Sequence, residues 1–237
     1  TPQQLMDHIF FRRNYRNDFA KSIHFSFFVL KCIIIVIERK AAINMNNKSY
    51  RISLFCLVTG LYWFSLYAYV PILSPYAESL GASYKMVGTI IGSYGFTQMV
   101  LRIPLGVLSD KLGKRKPFIV LGIGISLLSS LGMYFFKNPL MILLFRSLSG
   151  VAASSWVAYT ILFSSYFEQG DASKALGIVN ACNSLGQMSA VLIGGYAAQR
   201  LGQNTTFIIA SVSSALGLAL SFGIVEKKKA NRKPLDV

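Results

Sequence analysis

Six long apolar runs, at residues 52–73, 86–108, 117–136, 139–162, 174–199 and 204–225, constrain this chain more than any other feature. Each is about long enough for the ~20 residues that an α-helix needs to cross a bilayer's hydrocarbon core. No water reaches that core, so backbone N–H and C=O groups must pair within the protein, and only helices or closed barrels achieve this. The runs are too long and unbroken for barrel strands. Composition agrees: 53% of residues are hydrophobic, 14% are charged, and the mean hydropathy is +0.49. A soluble domain carries about a quarter charged residues. The expected fold class is an all-α membrane protein whose six transmembrane helices lie within 45–225. Short connections make each helix antiparallel to the one before it.

The net charge of +15 raises nucleic acid as a partner. The basic residues, however, cluster at the ends of apolar runs, where anionic lipid is the simpler partner. The Lys and Arg asymmetry between loops sets orientation. With the segment before residue 52 inside, the inner loops hold Lys48, Arg51, Lys111, Lys114, Arg115, Lys116, Lys174, Lys227, Lys228, Lys229, Arg232 and Lys233. The outer loops hold only Lys85, Lys137 and Arg200. Both ends of the bundle are expected on the cytoplasmic side of a cell membrane. The histidines, His8 and His24, lie near the N-terminus, which excludes a histidine-based catalytic or metal site in the main body. Cys32, Cys56 and Cys182 lie in apolar segments without metal-ligand spacing and read as small core residues. No metal or cofactor is expected.

Residues 1–44 fall outside the six-run pattern. Their apolar stretch, Phe25 to Ile37, is short and interrupted by Lys31, and Met45 then opens a polar, basic lead into the first good helix. Two readings stand: a non-native N-terminal extension, kept out of fold reasoning, or an interfacial amphipathic helix. Residues 226–237 read as a basic cytoplasmic tail or the start of a linker to a further domain.

The loop between the second and third runs reads Gly106-Val107-Leu108-Ser109-Asp110-Lys111-Leu112-Gly113-Lys114-Arg115-Lys116. Gly106 and Asp110 share a helix face. Gly106 admits a close backbone, and Asp110 suits the positive end of a neighbouring helix. Gly113 permits a tight reversal, and the three basic residues after it can anchor at lipid headgroups. A positive-inside loop alone explains the Lys and Arg, but not the Gly–Asp–Gly spacing. The segment resembles the signature loop of the major facilitator superfamily, G-x-L-[AS]-D-[RK]-x-G-[RK]-[RK]. The resemblance implies the N-terminal half of that fold: two three-helix repeats related by inversion, closing a cavity with a second such half. It also implies that Gly106, Asp110, Lys111, Gly113, Lys114 and Arg115 form a latch of the outward-facing state.

Other family marks are partial. Arg146-Ser147-Leu148-Ser149-Gly150 is similar to R-x-x-Q-G, with Ser149 in place of Gln. The fifth run keeps the small-residue spacing Gly186, Ala190, Gly194 but has Ala190 and Val191 where the antiporter signature has Gly and Pro. Pro71 and Pro75 stand one residue further apart than the P-x-x-P of drug-exporter-like members.

A charge at membrane depth is costly and marks function or a firm structural partner. Arg146 should face the bundle interior, as a substrate or coupling residue or as a structural Arg capped by carbonyls. Arg102 is a gating or structural candidate. Asn180, Asn183 and Gln187 form a polar stripe that lines a cavity or glues helices. Tyr62 and Tyr67 join Trp63 and Tyr69 in the first run, as packing or ligand-contacting aromatics. The function expected is secondary transport of a small solute by alternating access, with a second six-helix half or a second copy as partner. There is no G-x-x-x-x-G-K-[ST] nucleotide loop. The rival readings are a membrane-embedded enzyme, for which no acid or histidine cluster appears at membrane depth, and a non-transporting scaffold.

Overall fold

The computed structural model describes residues 48–168 and 170–226. The expectations for residues 1–44 and for the tail beyond Glu226 lie outside the described residues. Eight α-helices follow in order: α1 Lys48–Tyr67, α2 Leu73–Ser79, α3 Tyr84–Leu112, α4 Lys116–Phe135, α5 Pro139–Ser154, α6 Trp156–Ser164, α7 Ala172–Leu201 and α8 Asn204–Ser221. A 3₁₀ turn, Val70–Ile72, joins α1 to α2.

These helices make six membrane-length segments, in the places the apolar runs predict. Five are both long and apolar enough to cross a bilayer: Lys48–Ser79, Lys116–Phe135, Pro139–Ser164, Ala172–Leu201 and Asn204–Ser221. The sixth, α3, has ample length at 29 residues, about 43 Å at 1.5 Å per residue. Its Gly, Ser, Thr and Gln content and the charges Arg102, Asp110 and Lys111 lower its hydropathy.

Two segments depart from single straight helices. Pro71 removes an N–H and clashes with the preceding turn, so α1 passes through the 3₁₀ turn before α2 resumes. Glu78 therefore sits in the last turn of α2. The fourth span breaks at Ser155. The Ser154 hydroxyl there bonds back to the Val151 carbonyl at 2.5 Å, a competition that loosens helix ladders.

In lipid, helices gain nothing from hiding apolar surface from one another, so close packing and interhelical hydrogen bonds must hold the bundle. Two seams show how. Along α1 and α7, Cys56 meets Cys182, Gly60 meets Gly186 and Ala68 meets Gly194, with the same sequence offset in each pair. The two helices therefore run parallel. Along α3 and α5, Gly150 lies against Tyr94 and Thr97, and the Thr97 hydroxyl donates to the Ser147 carbonyl at 3.0 Å. Exchanging the first three spans with the last three carries one seam onto the other, as an inverted-repeat design requires. Between the seams, α4 is tied by serines: Ser126 to Ser65 at 2.8 Å and to Ser214 at 3.4 Å, and Ser130 to Ser211 at 3.0 Å.

The parallel register has a direct test. Cys56 and Cys182 are free thiols that face each other across the seam. Copper–phenanthroline treatment of membranes should link them within one chain. The product should persist in Cys32→Ser and vanish in Cys56→Ser. A link that forms only between chains would reject the register.

The two ends of the bundle pack against one another. Phe55, one turn into the bundle, packs against Tyr166 with ring centroids 5.9 Å apart. Tyr166 donates to the Val225 carbonyl at 2.7 Å. Burial pushes the Tyr166 phenol up to about 12, so it remains a donor throughout the physiological range. Glu226 in turn reaches the loop after α3. The opposite end is closed by a separate core of Tyr69, Tyr76, Met133, Ile142 and Phe207.

Candidate functional site

The charged end is organised around Arg115. Gly113 takes the left-handed conformation (φ 61°), its N–H bonds to the Asp110 carbonyl, and α3 ends there. The chain then turns Arg115 back over α3. Its guanidinium donates to Ser109 Oγ at 2.8 Å and forms an ion pair with Asp110. The Arg115 side chain is 7% exposed and that of Asp110 is 63% exposed. Arg115 is thus an internal strut, not a headgroup anchor. The helix N-terminus nearest this loop belongs to α4, and Asp110 does not cap it. Glu226 does: its two carboxylate oxygens accept from the backbone N–H groups of Arg115 at 2.5 Å and Lys116 at 3.1 Å. That satisfies donors that α4 would otherwise leave unpaired, and it sets negative charge at a positive helix end. Lys116 Nζ donates to the Phe222 carbonyl at 2.6 Å. Sequence reasoning missed Glu226. Its position directly after the sixth run, opposite a basic loop on the same side, was the available signal. Gly106 is half-buried against Val157, while Lys111 and Lys114 are exposed.

The membrane-depth site is organised around Arg146, which is 5% exposed. Its guanidinium carbon lies 4.3 Å from the centre of the Tyr94 ring and 5.6 Å from that of Tyr69. Nη1 donates to the Tyr69 hydroxyl at 3.4 Å, while Nε is buried without a partner. The Tyr69 hydroxyl is held by Ser149 at 2.8 Å, and Ser149 by Ser129 at 2.6 Å. Ser149 stands where the family pattern has Gln, and its short side chain leaves room for the Tyr69 hydroxyl.

An aromatic wall continues from this cation. Tyr94 meets Tyr67 edge-on at 6.4 Å, Tyr67 meets Trp63 at 5.9 Å, and Trp63 meets Trp156 at 5.2 Å. Tyr62 stacks on Tyr159 at 5.0 Å and reaches Ser155 at the break between α5 and α6. The structure therefore gathers Arg146, Tyr62 and Tyr67 into one region, with Tyr94 as a member that sequence reasoning missed. Tyr94 lies in a Gly-rich stretch of α3 that carries no charge to single it out.

The remaining candidates lie elsewhere. Arg102 is exposed and makes no ion pair among the described residues. Asn183 accepts from Gln187 at 2.5 Å, and Asn180 is exposed on the same helix. These residues share α3 and α7 with several exposed apolar side chains. Phe96, Met99 and Ile103 of α3 are exposed, Ile103 at 75%, as are Leu185, Met188 and Leu192 of α7. Only 17% of the most apolar stretch of α7 is buried, against 50% for α4.

Fold and site together define a multi-pass membrane protein built as two related helix triplets around a buried cation. The sequence profile of the Major Facilitator Superfamily matches residues 55–236, and the chain belongs to that family. It is similar to the inner membrane transport protein YajR of Escherichia coli (strain K12), with 30% identity over 169 residues, covering 71% of this chain and 37% of YajR. An uncharacterized transporter of Buchnera aphidicola subsp. Schizaphis graminum is 28% identical over 184 residues, 77% of this chain and 46% of that protein. The multi-drug resistance efflux pump PmrA of Streptococcus pneumoniae serotype 4 is 29% identical over 154 residues, 63% of this chain and 38% of PmrA. The chain spans less than half the length of these relatives.

Proposed function

We propose that this chain is the N-terminal half of a secondary carrier that moves a small solute across the cytoplasmic membrane by alternating access, in the efflux direction. The observation that carries the reading is the buried Arg146 beside an aromatic wall, in a bundle whose α3 and α7 carry many exposed apolar side chains. A cavity needs walls on both sides. Six helices supply one wall, and a second six-helix half supplies the other. The Asp110 loop, with the ends of the bundle at the cytoplasmic face, acts as the latch between halves. The named activity of PmrA, drug efflux, supports the direction. We read the chain as a carrier rather than an enzyme.

The test is reconstitution in liposomes of the full chain, alone and with a matching second half co-expressed. Counterflow of radiolabelled benzoate and of ethidium is measured. Saturable movement of either solute only by the paired halves, lost in Arg146→Ala, is expected. Saturable movement by the chain alone would replace the half-carrier reading with a homodimeric carrier. No movement of either solute by the paired halves would reject the carrier reading.

A further inference from the structure

The chemistry of the Arg146 site restricts what it can take. The acids among the described residues are Glu78, Asp110, Glu168, Asp171 and Glu226, and all lie at helix ends or in loops. Arg146 therefore has no carboxylate partner at its depth. The guanidinium lies over the Tyr94 ring, with the Tyr69 ring further away. Its edge is different: Nη1 has one long hydrogen bond, and Nε has none. Trp63 Nε1 is also buried without a partner, and Trp63 is 4% exposed. Both open groups are obligate donors. Leaving them unmet in a dry bundle is expensive. What completes them must bring acceptor atoms, and beside an uncompensated guanidinium the best acceptor is an anion that engages the fork side-on.

An aromatic cage alone would suit an organic cation. Here the Tyr94 face is already taken by Arg146, and a second positive charge beside it would be repelled at low dielectric. Tyr67, half-buried between Tyr94 and Trp63, offers a surface for a planar body instead.

We propose that this site binds an organic anion, a planar unsaturated body bearing a carboxylate that docks on the Arg146 Nε edge while the body lies along Tyr67 and Trp63. This rests on the carrier reading above, and it names the class of solute carried.

The chain carries its own reporter. Its two tryptophans, Trp63 and Trp156, both belong to this wall. The full chain in lipid nanodiscs is titrated with benzoate, with neutral benzamide and with benzylammonium, and tryptophan emission is followed. Benzoate should produce a saturable change, with an apparent affinity about tenfold or more above that of benzamide, equivalent to roughly 1.4 kcal/mol. Benzylammonium should produce none. Arg146→Gln should remove the preference for benzoate over benzamide, and Arg146→Lys should retain part of it, since Lys keeps the charge without the fork. Equal binding of benzoate and benzamide, stronger binding of benzylammonium, or an unchanged preference in Arg146→Gln would overturn the inference. The comparison of probes on the unsubstituted chain needs no variant to fold. Benzoate binding without transport by paired halves would fail the carrier reading alone. Ethidium transport without benzoate binding would fail the anion inference alone.

Discussion

Replacing Gly194 by valine is expected to unfold the α1–α7 seam and lower the thermal midpoint of the purified chain more than any other single helix substitution discussed here. A Cβ at this position falls on the Ala68 carbonyl, and it would also stand 2.7 Å from the carbonyl carbon and 3.1 Å from Cα of that residue. Those atoms are backbone, so no side-chain rotation relieves the clash and one helix must move away. Overpacking typically costs about 1–3 kcal/mol, and separating the helices would also forfeit the contacts at Gly60 and Gly186. A loss of about 3 kcal/mol or more is expected. Gly177→Ala is the control. Nothing lies within 4 Å of the Cβ it would add, and alanine is about 1 kcal/mol better than glycine inside a helix. The pair should shift the midpoint in opposite directions, read by thermal denaturation in detergent. Equal midpoints for Gly194→Val and the unsubstituted chain would show that the two helices do not pack in this register.

The glycine seam also shows what sequence can carry. The spacing of Gly186, Ala190 and Gly194 announced that some helix would come close, because small residues at every fourth position leave a groove along one face. It held no information about which helix fills the groove. The complement, Cys56 and Gly60 on α1 and Ala68 just past its end, is spread among larger residues and does not stand out. The six spans were legible because lipid demands long unbroken apolar helices. The break at Ser155 was not, since serine is tolerated in straight helices too. At the site, Arg146 was visible as a charge where charges are costly. Its surroundings were invisible for the opposite reason: Tyr69, Tyr94, Ser129 and Ser149 are ordinary bundle residues until packing points them at one guanidinium. Arg115 was misjudged on similar grounds. A basic residue beside two others at a membrane surface looks like a headgroup contact, and only the turn at Gly113 sends it inward to Asp110.

Replacing Arg146 by methionine is expected to stabilise the bundle and abolish anion binding together. A guanidinium at membrane depth costs ~2.5–3.5 kcal/mol on insertion scales. Stacking on Tyr94 and Tyr69 returns about 0.5–2 kcal/mol, and the single 3.4 Å hydrogen bond adds little. The balance is unfavourable in the empty site, and on the reading proposed above the carboxylate of a bound solute would offset it. Methionine keeps the length and apolar packing of the side chain without the charge. The Tyr69 hydroxyl loses nothing essential, since Ser149 still holds it at 2.8 Å. Unfolding of the chain in mixed micelles by added SDS should therefore shift in favour of the variant by about 1–3 kcal/mol, in line with buried charges replaced by apolar residues elsewhere. The tryptophan response to benzoate should disappear. Ser149→Ala gives the contrast: it strips Tyr69 of a buried partner, destabilises by about 1–2 kcal/mol, and leaves the charge in place to bind benzoate. If Arg146 were instead a structural clamp, the order would reverse, with Arg146→Met the less stable of the two. That reversal would sink the assignment of Arg146 to the solute.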